Sequence, residues 1–590
     1  MASVTVLLSA MGLSDTSILK KLKITGPSIL IDQCDEEGRE REENCLFVKT
    51  KERGLSKSRN MALREAALSG AEYCIFCDND VQYEDDYENT IESAFRRNPD
   101  SDILVFFIER PERHEPVLKK EGSLDRLHSM KIFSPEIAFR LSSLKRAGLR
   151  MDELFGAGAK YGMGEENIFL FDAFRKGLKI TYVPIKIAAT LENESTWFKG
   201  YNREFFRNRG AGYYRMSKWM YPLLCLQFAL RKRSLYRGSM GFGAALSAMA
   251  AGKREYLSEK RYFMVGDCYS GTGPANATSA LLSAMPLNTL SLKHRGKILR
   301  ALEIMRKIRM CDGVIFSGHS RQNILGMKQA KSAGVPSVYI MHGAVEYENG
   351  INRVPDERMA ADERQMMELA DLILAVSPTF EQWLKDNYPQ YAGKIGHLTN
   401  GVDWSGFYVN HKKEEKSGPI SVLSVGGGMP RKRIIKICEA IEQLREKEGL
   451  DIRLDIAGDR GADSEEIDSY AFVADHGLIG TVEMRALYAF SRIYIQNSVF
   501  ETFGLAPVEA LLSGCDIIIS KECGVRELFK DMEETDIIND TDDISEIGQK
   551  ISYVLENGNN QRLLESLDRE GTGWEKRAAE LCRILEDLKR

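Results

Sequence analysis

No stretch of this 590-residue sequence reaches the roughly 20 consecutive apolar residues that cross a bilayer as a helix. The opening stretch, MASVTVLLSAMGLSD, lacks a basic segment followed by a long apolar core. It is therefore expected to form a first β-strand over residues 4–9 rather than a signal peptide. Net charge is only −5 and the pI is near 6.1, so no whole-protein field draws the chain to nucleic acid or membrane. Internal repeats and low-complexity tracts are absent. The eleven cysteines are scattered, and reduced thiols in a cytoplasmic setting are expected rather than a disulfide framework. Cys74 and Cys77 have redox or zinc spacing, but they sit inside the apolar run YCIFCD without a second Cys or His pair. The metal or redox reading of that pair is set aside.

What is present is an ordinary globular balance, 43% hydrophobic and 28% charged residues. Single cores stop growing beyond about 250–300 residues, so a chain this long implies two or three domains. Two α/β patterns follow one another. In residues 1–211 the runs VTVLLS, SILID, CLFVKT, YCIFCD and ILVFFI alternate with helical stretches. Such alternation predicts a mostly parallel sheet covered by helices. Residues 212–258 break the rhythm as a helical linker. Within it, WMYPLLCLQFALRKRSLYR (219–237) is apolar and then strongly basic. One reading packs it on a module. The other lays it on an anionic membrane surface as a peripheral contact, at the inner face.

The second pattern has two halves, residues 259–408 and 409–590, separated by the turn-rich segment VNHKKEEKSGP. Two Rossmann-like halves place a cleft at the C-terminal edges of both sheets, where open α/β sheets bind ligands. A last helix from about Gly573 is expected to cross back to the first half.

The segment SRIYIQNSVFETFGLAPVEALLSGCDIIIS is the most informative. Glu501 lies in a loop after a strand, and Glu509 is placed about two turns into the following helix, so that both face one pocket. The amides of Gly504 and Leu505 at the helix start suit a phosphate. The carboxylates suit sugar and ribose hydroxyls. A diphosphate flanked by two polyols is a nucleotide sugar. Gly426 ends another strand within SVGGG, and Arg431, Lys432 and Arg433 follow as a diphosphate clamp. His342 ends the strand SVYIM and faces the cleft.

These stretches, with GDCYSGTGPANAT, ADLILAVSPTF, NGVD and IAGD, resemble the retaining family 4 glycosyltransferases of GT-B fold over residues 261–530. The resemblance implies that Glu509 holds ribose hydroxyls, Glu501 contacts the donor sugar and Lys432 neutralises the diphosphate. It places His342 beside the reacting sugar and residues 271–274 in a loop near acceptor and phosphate. Arg usually follows the glycine of the SVG strand end, where this chain has Gly427; Arg431 and Arg433 are candidates to supply that charge. Such a site takes no metal, because cationic side chains and amides stabilise the leaving diphosphate.

In the first module, Asp78-Asn79-Asp80 ends the apolar strand YCIFC. Carboxylates at i and i+2 point the same way and together attract a cation. Mg²⁺ or Mn²⁺ suits oxygen ligands beside phosphate. GLSKSRN opens a helix, with Ser56 expected as its N-cap and Lys57 and Arg59 near a phosphate. Gln33, Cys34 and Asp35 follow the strand SILID, where a base is read. Glu165 and Glu166 follow the glycine loop GMG as candidates for a general base.

GLSKSRNMAL, FCDNDV, GEEN, KITYVPIKI and STWFKGYNREFFRNRG resemble the inverting family 2 glycosyltransferases of GT-A fold over residues 1–210. The resemblance implies metal at Asp80, ribose or metal at Asp78, base recognition by Asp35 and a nucleotide contact by Arg59. Glu166 takes the catalytic-base position with Glu165 beside it. The base is Glu rather than the usual Asp, and no His follows the YVP strand; Glu192 or Glu194 is the substitute metal ligand.

The resulting expectation is an α/β chain with an N-terminal GT-A-like single mixed sheet and a C-terminal GT-B-like pair of Rossmann-like halves. It is read as a bifunctional glycosyltransferase building a bacterial surface polysaccharide or glycoprotein. Its partners are UDP-sugar donors and a glycan, lipid-linked or glycoprotein acceptor, with no nucleic acid. The competing expectation is one catalytic module and one docking platform.

Overall fold

The computed structural model describes residues 4–42, 44–191, 200–407 and 418–588. The chain divides into two compact units, Met1–Glu259 and Lys260–Arg590.

The first unit is built on one mixed sheet. Its strands are β1 (Val4–Met11), β2 (Ser28–Gln33), β3 (Gly38–Glu42), β4 (Cys45–Thr50), β5 (Tyr73–Asp78), β6 (Val81–Tyr83), β7 (Ile103–Glu109), β8 (Gly122–Ser123), β9 (Ile137–Arg140) and β10 (Ile180–Thr190). They run in the order β3-β4-β2-β1-β5-β9-β7-β10-β6, with β8 beside β10. Strands β4, β2, β1 and β5 pair in parallel, while β9 runs antiparallel to both β5 and β7. Helices cover both faces, so β1, β2 and β5 are buried almost throughout and read as unbroken apolar runs. Cys74 and Cys77 lie in this core, and burial pushes both thiols far up. The register sets Ser9 of β1 beside both Ile31 of β2 and Asp78 of β5, which aligns three strand C-termini.

Helices Arg203–Met216, Tyr221–Arg231 and Phe242–Leu257 belong to the first unit and pack on it. Arg203–Met216 and Phe242–Leu257 cross closely through Gly210 and Gly252. A Cβ at Gly252 would stand 1.9 Å from the Arg207 carbonyl oxygen, so any side chain there forces the helices apart.

The second unit holds two wholly parallel sheets. The first runs β11 (Tyr262–Val265), β12 (Gly313–Ser317), β13 (Ser337–Met341), β14 (Leu372–Ala375) and β15 (Ile395–His397), side by side in chain order. The second comprises β16 (Ile420–Val425), β17 (Ile452–Ala457), β18 (Val473–Asp475), β19 (Ile493–Gln496), β20 (Asp516–Ser520) and β21 (Ile537–Ile538). Its order, β18-β17-β16-β19-β20-β21, reverses direction between β16 and β19. A crevice opens beyond the strand C-termini at such a switch point. The loops after β16 and β19 are those carrying Gly426 and Glu501. The last helix, Trp574–Asp587, packs back on the first half: Lys260 pairs with Glu586 at 2.8 Å, and Gly313 abuts Leu585. No helix among the described residues is long and apolar enough to cross a membrane.

Candidate active sites

In the second unit the switch point gathers Glu501, Lys432 and Arg431. Strand β16 ends at Val425, and Gly426 (φ 145°) and Gly427 (φ 54°) turn the chain in backbone regions that favour glycine. A Cβ on Gly426 would lie 2.5 Å from the Lys432 stem, so the bare backbone lets that lysine cross to Glu501. Lys432 Nζ contacts Glu501 Oε2 closely, Arg431 Nη1 donates to the same oxygen at 3.2 Å, and Gln496 Nε2 donates to it at 3.0 Å. Three donors thus converge on Oε2, while Oε1 has no hydrogen-bond partner among the described residues. Burial alone would raise the Glu501 carboxyl. Lys432 and Arg431 together outweigh it and hold the group below the usual carboxylate range.

Glu348 completes the cluster from the first half, with Oε2 3.6 Å from Arg431 Nε. Burial raises its carboxyl, against the pull of Arg431. Its place in the helix Val345–Ile351 follows directly from the strand end that carries His342. The acidic stretch VEYEN was the available signal, but nothing in it marked Glu348 over Glu346.

Of the two candidates for the charge expected after the SVG strand end, it is Arg431 that reaches Glu501, at 3.2 Å. Arg433 instead pairs with Asp542 at 3.1 Å. Gly427 itself has no room for a side chain, since a Cβ there would meet the Asp459 carbonyl oxygen at 2.0 Å.

The helix carrying Glu509 is shorter than expected. It spans Ala506–Leu512, which puts Glu509 in its first turn rather than two turns in. Gly504 (φ 86°) breaks the chain just before, and Leu505 is the N-cap residue. Glu509 Oε2 accepts from the Tyr488 hydroxyl at 3.2 Å, and burial pushes its carboxyl up to about 7. His342 lies at the end of β13, with Nε2 2.9 Å from Ser317 Oγ. Burial lowers its imidazole to about 4, so it is neutral near pH 7. Its carbonyl accepts from Thr502 Oγ1 at 2.6 Å, which ties the first half to the loop next to Glu501.

In the first unit a different balance appears. Arg59 lies in the helix Leu55–Ser69 and is fully buried. That helix starts on Gly54 (φ 123°), whose N–H donates to Gln33 Oε1 at 2.6 Å; Ser56 is not the cap, and its hydroxyl donates to the Phe155 carbonyl at 2.7 Å. Arg59 Nη2 donates to Asp78 Oδ1 at 2.8 Å, and Nη1 to Glu165 Oε1 at 3.4 Å. Burial disfavours its charge, but Asp78 and Glu165 more than offset that. Glu165 and Glu166 open the helix Glu165–Arg175. Burial, then the charge of Glu165, pushes Glu166 up to about 8.

Asp80 follows β5, and burial and the charge of Asp78 raise its carboxyl. That repulsion is what a bound cation relieves, and Mg²⁺ sites commonly use only one or two carboxylates with phosphate and water. The two aspartates fit such an ion. No cluster of three or more candidate metal-ligating side chains occurs among the described residues. Glu192 and Glu194, the expected further ligands, lie outside the described residues.

Asp35 sits on the exposed turn after β2, paired with Arg53 at 2.6 Å. The buried carboxylate at that strand end is Asp32, which no motif in the sequence singles out. Its Oδ1 accepts from the Leu13 N–H at 3.0 Å, and its buried Oδ2 has no partner. The signal was present as a lone acid inside the apolar run SILID.

Residues 409–572 match the family model Glycosyl transferases group 1, and residues 280–405 match Glycosyltransferase Family 4. No curated protein matches the chain. Among solved structures, HepE of Anabaena in complex with UDP and glucose aligns at 14% identity, covering 56% of this chain and 100% of its own, with a TM-score of 0.42. A sucrose-phosphate synthase of Thermosynechococcus elongatus aligns at 17% identity over 56% of this chain and 99% of its own, with a TM-score of 0.42. The lipopolysaccharide outer core galactosyltransferase WaaB aligns at 15% identity over 55% and 99%, with a TM-score of 0.40. Both family matches fall within the second unit, and that unit is a glycosyltransferase module of two Rossmann-like halves.

Proposed function

We propose that the chain is a bifunctional glycosyltransferase, each unit transferring one sugar from a nucleotide-sugar donor to a growing glycan. The observation that carries the reading is the convergence of Lys432, Arg431 and Gln496 on one oxygen of Glu501 at the switch point. Two cations held beside a glycine-rich strand end can take a donor diphosphate, and the free Oε1 of Glu501 can accept from a sugar hydroxyl. Glu509, in the next helix, is suited to the ribose hydroxyls. As the glycosidic bond breaks, negative charge grows on the leaving diphosphate, and prepositioned cations stabilise it without reorganisation. In this reading the second unit needs no metal and retains configuration at the sugar carbon.

The first unit is read as the inverting site. Asp78 and Asp80 would hold Mn²⁺ or Mg²⁺, which supplies Lewis-acid stabilisation of the leaving diphosphate when bound. Arg59 fixes Asp78 and Glu165 in place, and Glu166 is the group to take the acceptor proton. UDP is the donor nucleotide implied by family resemblance for both units, with GDP the alternative for the second. The acceptor is a glycan, lipid-linked or glycoprotein substrate of a surface polysaccharide or glycoprotein assembly.

The test is a screen of nucleotide sugars for released nucleoside diphosphate and for transfer, on Asp80→Ala and Glu509→Ala separately. Loss of a different product in each variant supports two active units. If one substitution leaves every product unchanged, that unit is a docking platform.

A further inference from the structure

Residues 205–254 contain ten Lys and Arg and not one Asp or Glu, in a chain whose net charge is −5. Within this stretch the helix Tyr221–Arg231 buries Leu224, Cys225 and Ala229. Its other side is apolar as well. Leu223, Leu226 and Leu230 are 65%, 44% and 56% exposed, Trp219 just before them is 95% exposed, and Leu235 just after is 57% exposed. Positions 219, 223, 226 and 230 follow helical spacing, so these side chains form one stripe facing solvent. Lys218, Arg231, Arg233 and Arg237 are exposed around it, and none has a carboxylate partner among the described residues.

A helix that is apolar on both sides normally lies inside a core, and this one does not. An aqueous surface leaves the five large apolar groups solvated at a cost, and an acid-free rim of cations repels a second like-charged face. One environment satisfies both features: an apolar layer beneath a plane of negative charge. Tryptophan also favours the boundary between headgroups and acyl chains. The apolar part is too short to span a bilayer, which leaves the interfacial position.

We propose that residues 219–237 bind the surface of a membrane containing anionic phospholipids, with Trp219, Leu223, Leu226, Leu230 and Leu235 entering the headgroup region and the surrounding Lys and Arg pairing with lipid phosphates. This docking holds the first unit where a membrane-borne acceptor is presented. It does not depend on which sugar either unit transfers.

The experiment is flotation of the full chain with vesicles of phosphatidylcholine alone or mixed with phosphatidylglycerol, at low and high salt. Binding is expected to the mixed vesicles only, to weaken with salt, and to shift the Trp219 fluorescence to the blue. Arg231→Ala/Arg233→Ala is expected to lose about thirtyfold in binding, about fivefold for each cation at an anionic surface. Leu223→Gln/Leu230→Gln is expected to lose binding while circular dichroism and donor hydrolysis stay unchanged. No flotation with mixed vesicles overturns the proposal, as does equal flotation with both compositions or variants that float like the parent. A self-associating chain that the leucine variant turns monomeric, without vesicle binding, assigns the stripe to a second copy and also overturns it.

Discussion

The two candidate sites differ in how their own cations and carboxylates are arranged. In the second unit, Lys432 and Arg431 converge on the ionised Glu501 at the end of a strand, with Glu348 beside Arg431. In the first, the buried guanidinium of Arg59 is taken up by Asp78 and Glu165, Asp80 lies two residues after Asp78, and Arg209 acts on Glu166. Under the proposed function a diphosphate enters the second site on the chain's own cations, Lys432 and Arg431, and enters the first with a divalent cation that joins Asp78 and Asp80 to the phosphates. The difference teaches that the proposed contrast in metal use rests on where the chain's own cations sit, with Lys432 and Arg431 at a glycine-rich strand end and Arg59 already committed to two carboxylates.

Substitutions can break this comparison, beginning with the largest effect. Arg59→Ala leaves Asp78 and Glu165 without their buried counter-ion, and loss of one partner from such a pair costs about 3–5 kcal/mol. Denaturant unfolding of the first unit is expected to shift by that amount, with the second unit's activity unchanged at low denaturant. Lys432→Ala removes one of the two cations proposed to take the donor diphosphate, and metal-independent kcat is expected to fall about 100-fold or more, as for other prepositioned charge-stabilising groups. Steady-state assays without divalent ions measure it.

Gly427→Arg installs the residue that relatives of this type place there, yet it is expected to reduce stability and activity together. The new Cβ would collide with the Asp459 carbonyl at 2.0 Å, and overpacking of this kind costs about 1–3 kcal/mol. Thermal unfolding and donor release on one preparation check it. The smallest effect is in pH. A general base must be deprotonated to act, and Glu166 is raised to about 8, so first-unit activity is expected to rise up to about tenfold as pH passes from 7 to above 8. Glu501 is held below its usual range and stays ionised, so it imposes no such rise on the second unit.

Much of this was legible before the fold was known. The unbroken apolar runs of β1, β2 and β5 announced strands buried on two faces. Glu501, Lys432 and Arg431 stood out as separate candidates because each follows a strand end in a repeating α/β pattern, and the structure brings the three into contact. Other features depend on backbone angles or distant contacts that no local pattern carries. Ser56 looked like a helix cap, but Gly54 adopts φ 123° and starts the helix two residues earlier. Glu509 looked two turns into a helix, but the helix begins only at Ala506 and Glu509 falls in its first turn. Gly427 looked like a lost arginine, whereas the carbonyl of Asp459, 32 positions away, fills the space. Glu348 and Asp32 were overlooked because an acid's burial and partners are set by elements far along the chain.

The most direct test measures nucleoside diphosphate release and transfer by Asp80→Ala and Glu501→Gln, each with Mn²⁺ and with a chelator. The charge comparison predicts that Asp80→Ala keeps only activity that survives chelation, and that Glu501→Gln keeps only activity that chelation abolishes. Equal chelator sensitivity in the two variants would contradict it.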